Sequence, residues 1–216
     1  MNDTDVTAAL LAIADELRSV AANGLHYSTG HYDRDRYAKV RDLAARTMAL
    51  ADTRAVDEIA RVFRDDLGLH TPKASADAAI FDSDGRLLLT QRADCGQWCT
   101  PGGAADVGES PSEAAVRETW EETGLRVAAV RLLGLYDNRR LHRQDPGDDA
   151  PSAQTYNTVF AAEVRGGELG LTSETVDFDW FTEARARELS LFRGHRIKVF
   201  DVFAIHRGDL EAPIFH

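Results

Sequence analysis

Glu118, Glu121 and Glu122 sit within five positions of one another in RETWEETG, downstream of a Gly102-Gly103 pair. Glu109 follows Gly103 by six residues and Arg117 stands immediately before the first of the three glutamates. At about 100° per residue, the three carboxylates fall within an arc of roughly 100° on a helix. Like charges at this spacing repel by a few tenths of a kcal/mol per pair on an exposed helix, and Arg117, four residues before Glu121, offsets part of that. A carboxylate arc alone usually marks a solvated helix face. The glycine pair, Glu109 and Arg117 at fixed offsets point instead to a site for a hard divalent cation. Mg²⁺ takes oxygen ligands in near-octahedral geometry and keeps several waters. Three carboxylates and a backbone carbonyl from the Pro101-Gly102-Gly103 turn would supply such a site, with positions left for a substrate's own phosphate oxygens.

The elements that must carry these residues are legible around them. Ser110-Pro111-Ser112-Glu113 reads as a capping box with proline at the first helical position, and Gly124 as the residue that ends the helix in a left-handed turn. Val116, Trp120 and Thr123 fall opposite the carboxylates and are expected to face the core. Strands are expected at 73–81, 86–91, 126–136, 154–164 and 178–181, with an Asp84-Gly85 hairpin turn between the first two. A last helix is expected at 193–206, with Ile197, Phe200 and Ala204 on one side. Upstream, Val6, Leu10, Ile13, Leu17 and Val20 repeat at 4-3-4-3 spacing as the seam of an amphipathic helix. Tyr37, Val40, Ala44 and Met48 mark a second helix, and Val56, Ile59, Ala60, Phe63 and Leu67 a third, closed at Asp66-Leu67-Gly68. The chain therefore reads as a helical domain at 1–70 and, after Thr71-Pro72, an α/β domain at 71–216, an α/β/α sandwich around a mixed sheet. Three helices this small have apolar faces to cover, which predicts packing on the second domain or on a second subunit in a homodimer.

Net charge is −11, with 36 acidic and 25 basic side chains. No basic stripe marks a track for long nucleic acid, and the long-range field repels polyanions. A small nucleotide remains acceptable, because bound cations reverse the sign locally. The acidic start lacks the basic-then-apolar run of a signal peptide, and no apolar stretch approaches the ~18 residues of a membrane span. Cys95 and Cys99 have no histidine near them in sequence, so free thiols in a reducing cytoplasm are expected rather than a zinc site.

Gly103, Glu109, Arg117, Glu118, Glu121, Glu122, Gly124 and Leu125 together match G-x5-E-x7-R-E-U-x-E-E-x-G-U, where U is apolar. The segment resembles the Nudix hydrolases, departing only at Thr119, where the family carries an apolar residue. The resemblance implies Glu118, Glu121, Glu122 and the Gly102 carbonyl as ligands of Mg²⁺ or Mn²⁺, Arg117 as the group that orients the carboxylates, and Glu109 at the pocket edge. It also implies a glutamate in a loop before a Trp-Phe pair, as extra ligand or general base. Here that is Glu174, before Trp180-Phe181. Residues 23–49 and 71–81, with Leu135-Tyr136-Asp137 and Pro151-Ser152, resemble a bacterial Nudix group with a helical N-terminal domain that includes CDP-choline and ADP-ribose pyrophosphatases. The implied reaction is hydrolysis of the diphosphate in a nucleoside diphosphate linked to another moiety. Alternatives are cleavage of RNA 5′ ends or nucleoside triphosphates, and a non-catalytic nucleotide sensor, which the intact set of box carboxylates disfavours.

Several residues carry weaker expectations. Arg92 follows a strand and could reach a phosphate, or be a surface arginine. Tyr136 and Asp137 end a strand near where relatives hold substrate. Gly103 would border the bound diphosphate. Trp98 is read as packing rather than base stacking, and Tyr27 and Tyr32 as core or interface. Residues 139–152, with Arg139, Arg140, His142 and Arg143, form either a surface connection or a substrate lid.

Overall fold

The computed structural model describes residues 3–66, 71–144, 154–192 and 194–215. These fall into two compact units, one of helices and one holding every strand.

The first unit contains α1 (Asp3–Tyr27), α2 (His31–Met48) and α3 (Val56–Asp65). Leu11 and Ala14 of α1 meet Ala44, Ala45 and Met48 of α2, and Ile59 and Phe63 of α3, in one core. Alanines at the contact let α1 and α2 approach closely, and at Gly24 a Cβ would lie 2.3 Å from the Tyr37 ring. The expected seam of α1 is used only in part: Leu17 packs against this core, whereas Val6, Ile13 and Val20 are 37%, 49% and 55% exposed. The deeper row of α1 lies beside that stripe and consists of Leu11, Ala14, Ala21, Ala22 and Leu25. Tyr27 and Tyr32 are also exposed, so neither is a core residue. Leu67 and Gly68 lie outside the described residues.

The second unit runs β1 (Lys73–Ile80), β2 (Leu87–Arg92), β3 (Trp98–Cys99), β4 (Gly102–Ala104), α4 (Pro111–Thr123), β5 (Leu125–Asp137), α5 (Asn138–Gln144), β6 (Thr155–Gly167), β7 (Thr175–Phe181), α6 (Glu183–Ala186), α7 (His195–Arg207) and β8 (Ile214–Phe215). A mixed five-stranded sheet has the order β4-β1-β6-β5-β8, and a three-stranded sheet the order β3-β2-β7. The Asp84-Gly85 turn forms: the Asp82 carboxylate accepts the N–H groups of Asp84 and Arg86, and Gly85 takes φ 72. Beyond one bridge, Phe81 to Leu87, the flanking strands nevertheless part. β1 pairs with β4 and, in parallel, with β6, while β2 pairs with β3 and β7. The turn chemistry is local, whereas the partners are distant in sequence.

Side-chain alternation places helices on both sides. Ala76, Ala78 and Ile80 of β1 and Leu88 of β2 meet Ala114 and Ala115 of α4. Ala79 of β1 and Leu87 and Leu89 of β2 share the other core with Val199, Val202 and Phe203 of α7. The most deeply buried side chains of α7 in this core are thus Val199, Val202 and Phe203, while Ile197 and Phe200 of the expected row pack against it partly buried. The guanidinium groups of Arg187 and Arg196 lie over the Phe200 ring. The architecture is the expected mixed α/β fold preceded by a helical region. Among the described residues no helix is long and apolar enough to cross a membrane.

Candidate active site

α4 begins where the sequence placed it. Ser110 Oγ accepts the Glu113 N–H at 3.3 Å and Glu113 Oε2 accepts the Ser110 N–H at 2.8 Å, a complete capping box with Pro111 at the first turn. Such a cap is worth about 1 kcal/mol. Gly124 closes the helix at φ 77, and a Cβ there would also meet the Glu168 carbonyl at 2.5 Å. Ala114, Ala115, Thr119 and Thr123 are its fully buried side chains together with Glu122. Thr119 sits in an apolar position at little cost, because its hydroxyl donates to the Ala115 carbonyl at 2.7 Å. Trp120, expected in the core, is 54% exposed. The small residues of α4 bring the helix so close to the sheet that the buried arc is narrow, and the indole falls outside it.

Arg117 organises the carboxylates. Its Nε and Nη2 donate to the two oxygens of Glu109 at 2.6 and 3.0 Å, and its Nη1 donates to Glu118 and to Glu121 at 2.9 Å each. Nη2 also donates to the Ala104 carbonyl at 3.0 Å, tying α4 to β4. Glu109 is therefore held beside Arg117, whose hydrogen bonds, with that of the Asp106 N–H, keep its carboxyl below the usual carboxylate range. Glu118 lies against the glycine turn: a Cβ on Gly103 would stand 2.5 Å from its carboxyl carbon. Burial raises the pKa of Glu118, opposed by Arg117 and reinforced by Glu121 and Glu174.

Glu122 is different. It is 7% exposed and accepts the Gly102 N–H at 3.1 Å. Burial pushes its carboxyl up to about 8, with Glu118 and Asp77 adding to the rise and the Gly102 N–H opposing it. Glu122 and Glu174 line one cavity of about 260 Å³ with Thr90, Arg92, Asp94 and Ser173. Arg92 thus stands in the cavity wall, forked onto Asp94 at 2.9 and 2.6 Å and stacked 4.3 Å above the Phe192 ring. A more open groove of about 530 Å³ runs past Glu109, Ser112, Glu113 and Arg117.

Other expected contacts are not brought to this place. Tyr136 is fully buried in the α7-side core and its hydroxyl donates to Asp201 at 3.3 Å, so the ring cannot touch a bound molecule. Asp137 is buried and accepts the Arg139 N–H at 2.9 Å, where it caps α5. The start of the expected loop is that helix, with His142 buried and Arg140 exposed. The Arg143 side chain and residues 145–153, with the expected lid, lie outside the described residues. Trp98 packs edge-on against Phe181 at 4.9 Å, as expected. Both cysteines are free; Cys99 is buried, which pushes its thiol up to about 12.

Sequence reasoning missed a buried polar cluster beside the glycine turn. Asp77 of β1 accepts from Lys198 Nζ at 2.6 Å, from Asn157 Nδ2 at 2.8 Å and from the Thr100 hydroxyl at 3.1 Å. Burial alone would raise the Asp77 pKa; Lys198, His195 and Asn157 together lower it. His195 is held down to about 3 by burial and by Lys198, and is neutral. A lysine and a polar threonine at core positions were the available signals, but the 121 residues between Asp77 and Lys198 hid their pairing.

Among the described residues no three His, Cys, Asp or Glu side chains are gathered into a ready-made ion cage. Glu118 and Glu121 are turned onto Arg117, and Glu122 onto the Gly102 amide. The donor set is nonetheless the one a hard cation needs: carboxylate oxygens on one helix, beside a glycine turn too tight for any side chain. The residues present fit Mg²⁺ or Mn²⁺.

The NUDIX domain family matches residues 71–202. The chain belongs to the Nudix family. It is a Nudix hydrolase, and such enzymes generally use Mg²⁺ or Mn²⁺. Residues 8–63 match a second family, described as "UDP-X-like, N-terminal oligomerisation domain". The Bacillus subtilis (strain 168) protein named "Putative ADP-ribose pyrophosphatase YjhB" is 31% identical over 202 residues, 94% of each chain. An ADP-ribose pyrophosphatase of Methanocaldococcus jannaschii is 33% identical over 116 residues, 52% of this chain and 64% of that one. The crystal structure of a UDP-X diphosphatase matches with a TM-score of 0.59 at 22% identity, over 97% of this chain and 99% of that one, which shows likeness of fold. That of an ADP-ribose pyrophosphatase from Streptococcus suis gives a TM-score of 0.54 at 29% identity, over 68% and 100%.

Proposed function

We propose that this Nudix hydrolase cleaves the diphosphate bond of a nucleoside diphosphate linked to another moiety, of the ADP-ribose or CDP-choline type, releasing a nucleoside monophosphate and the phosphorylated moiety. The observation that carries the reading is the shared cavity of Glu122 and Glu174, with Glu118 and the Gly102-Gly103 turn beside it. The full-length similarity to a protein named for ADP-ribose supports the substrate class.

Glu118, Glu121, Glu122 and the Gly102 carbonyl would hold Mg²⁺, or Mn²⁺ in its place. When bound, the ion neutralises diphosphate charge and makes water a better nucleophile. Arg117 orients Glu118 and Glu121, since its guanidinium already spans both. Gly103 leaves room where any side chain would strike Glu118. A water oxygen forms the new P–O bond, the bridging P–O bond breaks, and its electron pair leaves with the second phosphate. Glu174 takes the water's proton, and Arg92, released from Asp94, grips the departing phosphate. We further place the protein in a reducing cytoplasm, consistent with two free thiols, and assign a homodimer formed through the helical unit, whose α1 stripe of Val6, Ile13 and Val20 is apolar and exposed.

The test is a product assay. With Mg²⁺ and ADP-ribose in ¹⁸O-water, AMP and ribose 5-phosphate should form, with one ¹⁸O in one of them. Binding without hydrolysis across ADP-ribose, CDP-choline and nucleoside triphosphates would refute the assignment.

A further inference from the structure

Behind the Pro101-Gly102-Gly103 turn lies the buried cluster of Asp77, Lys198, Asn157, His195 and Thr100, which no step above uses. Its links are short. Lys198 Nζ donates to Asp77 Oδ2 at 2.6 Å and to Asn157 Oδ1 at 3.0 Å, and stands 3.3 Å from His195 Nε2. The Thr100 hydroxyl donates to Asp77 Oδ2 at 3.1 Å and lies 3.2 Å from His195 Nδ1. Asn157 completes the ring by donating to Asp77 Oδ1 at 2.8 Å and to Ser75 Oγ at 2.9 Å.

A buried ion pair is weak evidence of stability, because well-packed apolar side chains of the same volume often do as well or better. The location of this pair gives it a different use. Asp77 is the register partner of Gly102 in the β1–β4 ladder, and the Ala78 N–H donates to the Pro101 carbonyl at 2.8 Å. At Gly102 a Cβ would lie 2.4 Å from the Ala76 carbonyl and 2.6 Å from Asp77 Cα, so the turn is pressed onto the strand that carries the carboxylate. From the other side of the same residue, the Gly102 N–H reaches Glu122 Oε2 at 3.1 Å. Lys198 on α7 is therefore connected to Glu122 on α4 through Asp77 and the backbone of one glycine.

We infer that Asp77, Lys198 and Thr100 are positioning residues, which clamp the Thr100–Gly102 backbone so that its amide and carbonyl are set for Glu122 and for a cation on α4. This rests on the metal reading proposed above. The amide and the carbonyl of Gly102 belong to the two rigid peptide planes that meet at its Cα, so a displacement of that Cα moves both. A loosened turn therefore costs Glu122 its hydrogen-bond donor and the ion its backbone oxygen at once.

The test uses the full chain with two variants, Thr100→Val, which removes one hydroxyl at constant shape, and the charge-neutral double change Asp77→Asn with Lys198→Met. Free Mn²⁺ is counted by electron paramagnetic resonance without substrate, and Gly102 amide exchange is followed by NMR. Removing an outer-shell partner should weaken Mn²⁺ binding about 10–100-fold, with faster Gly102 exchange and a raised half-saturating metal concentration, while kcat at saturating metal changes far less. A folded variant with wild-type Mn²⁺ affinity and wild-type Gly102 protection overturns the proposal. If the double variant does not fold, Thr100→Val decides. If wild type itself binds no Mn²⁺, the metal reading falls, and Gly102 exchange alone decides the clamp: faster in the variants upholds it, unchanged refutes it.

Discussion

The backbone amide of Gly102 and the carboxylate of Glu122 meet at 3.1 Å, joining the glycine turn to α4 at a point where the acid is almost wholly buried. A carboxylate in that position is costly without a cation, and its replacement by an amide keeps the hydrogen bond while removing the charge. Glu122→Gln should therefore fold normally yet lose at least ~10³-fold in kcat, about 4 kcal/mol of transition-state stabilisation. Steady-state kinetics with ADP-ribose checks this; more than a tenth of wild-type activity would contradict the role.

Gly103→Ala tests the space rather than the charge. The new Cβ would stand 2.5 Å from the Glu118 carboxyl carbon, so Glu118 must move. Since that side chain can swing outward, the melting temperature should fall by only a few degrees, roughly a 1 kcal/mol effect. Mn²⁺ affinity should fall at least ~10-fold. An unchanged affinity would remove Glu118 from the ligand set.

His195 predicts a pH dependence of stability. Burial and Lys198 hold it down to about 3, while Asp77 pulls the other way and Arg92 adds to the depression. In the unfolded chain a histidine titrates near 6.5, so below that pH only the unfolded state takes the proton. The contribution is full above about 6.5 and is lost toward 3, at up to about 1.4 kcal/mol per pH unit in that window. Urea midpoints from neutral to mildly acid pH should thus fall more steeply for wild type than for His195→Gln. Parallel curves would show that the imidazole is free to ionise.

Val6, Ile13 and Val20 lie seven residues apart on α1 and are exposed, though α1 buries a different row in its own unit. A seven-residue apolar repeat with no partner in its own unit is the pattern of a helix–helix seam between subunits. Ile13→Glu with Val20→Glu should halve the mass in sedimentation velocity without loss of helicity. A variant that stays dimeric would place the interface elsewhere.

What the sequence revealed and concealed divides by the range of the interactions. The capping box of Ser110 and Glu113, the Gly124 stop and the Asp84-Gly85 turn were readable because each is settled within four residues. The grouping of Glu118 and Glu121 about Arg117 followed from their shared helix, and Glu109 joins them from just before it. Trp120 was misplaced because spacing gives an angle on the helix but not the width of what covers it. The family resemblance places Tyr136 near substrate, yet its ring is buried in the core and its hydroxyl donates to Asp201, 65 positions later. The expected hairpin strands separate because β6 and β7 take them as partners. Asp77 and Lys198 were invisible for the same reason: nothing near either residue announces the other.

The most direct test of the metal reading is a crystal soaked with Mn²⁺ and a non-hydrolysable ADP-ribose analogue, read by anomalous scattering. An anomalous peak should touch oxygens of Glu118 and Glu122, with Arg117 swung aside from at least one carboxylate. Saturating Mn²⁺ with no peak on α4, or a peak held only by residues elsewhere, would contradict it.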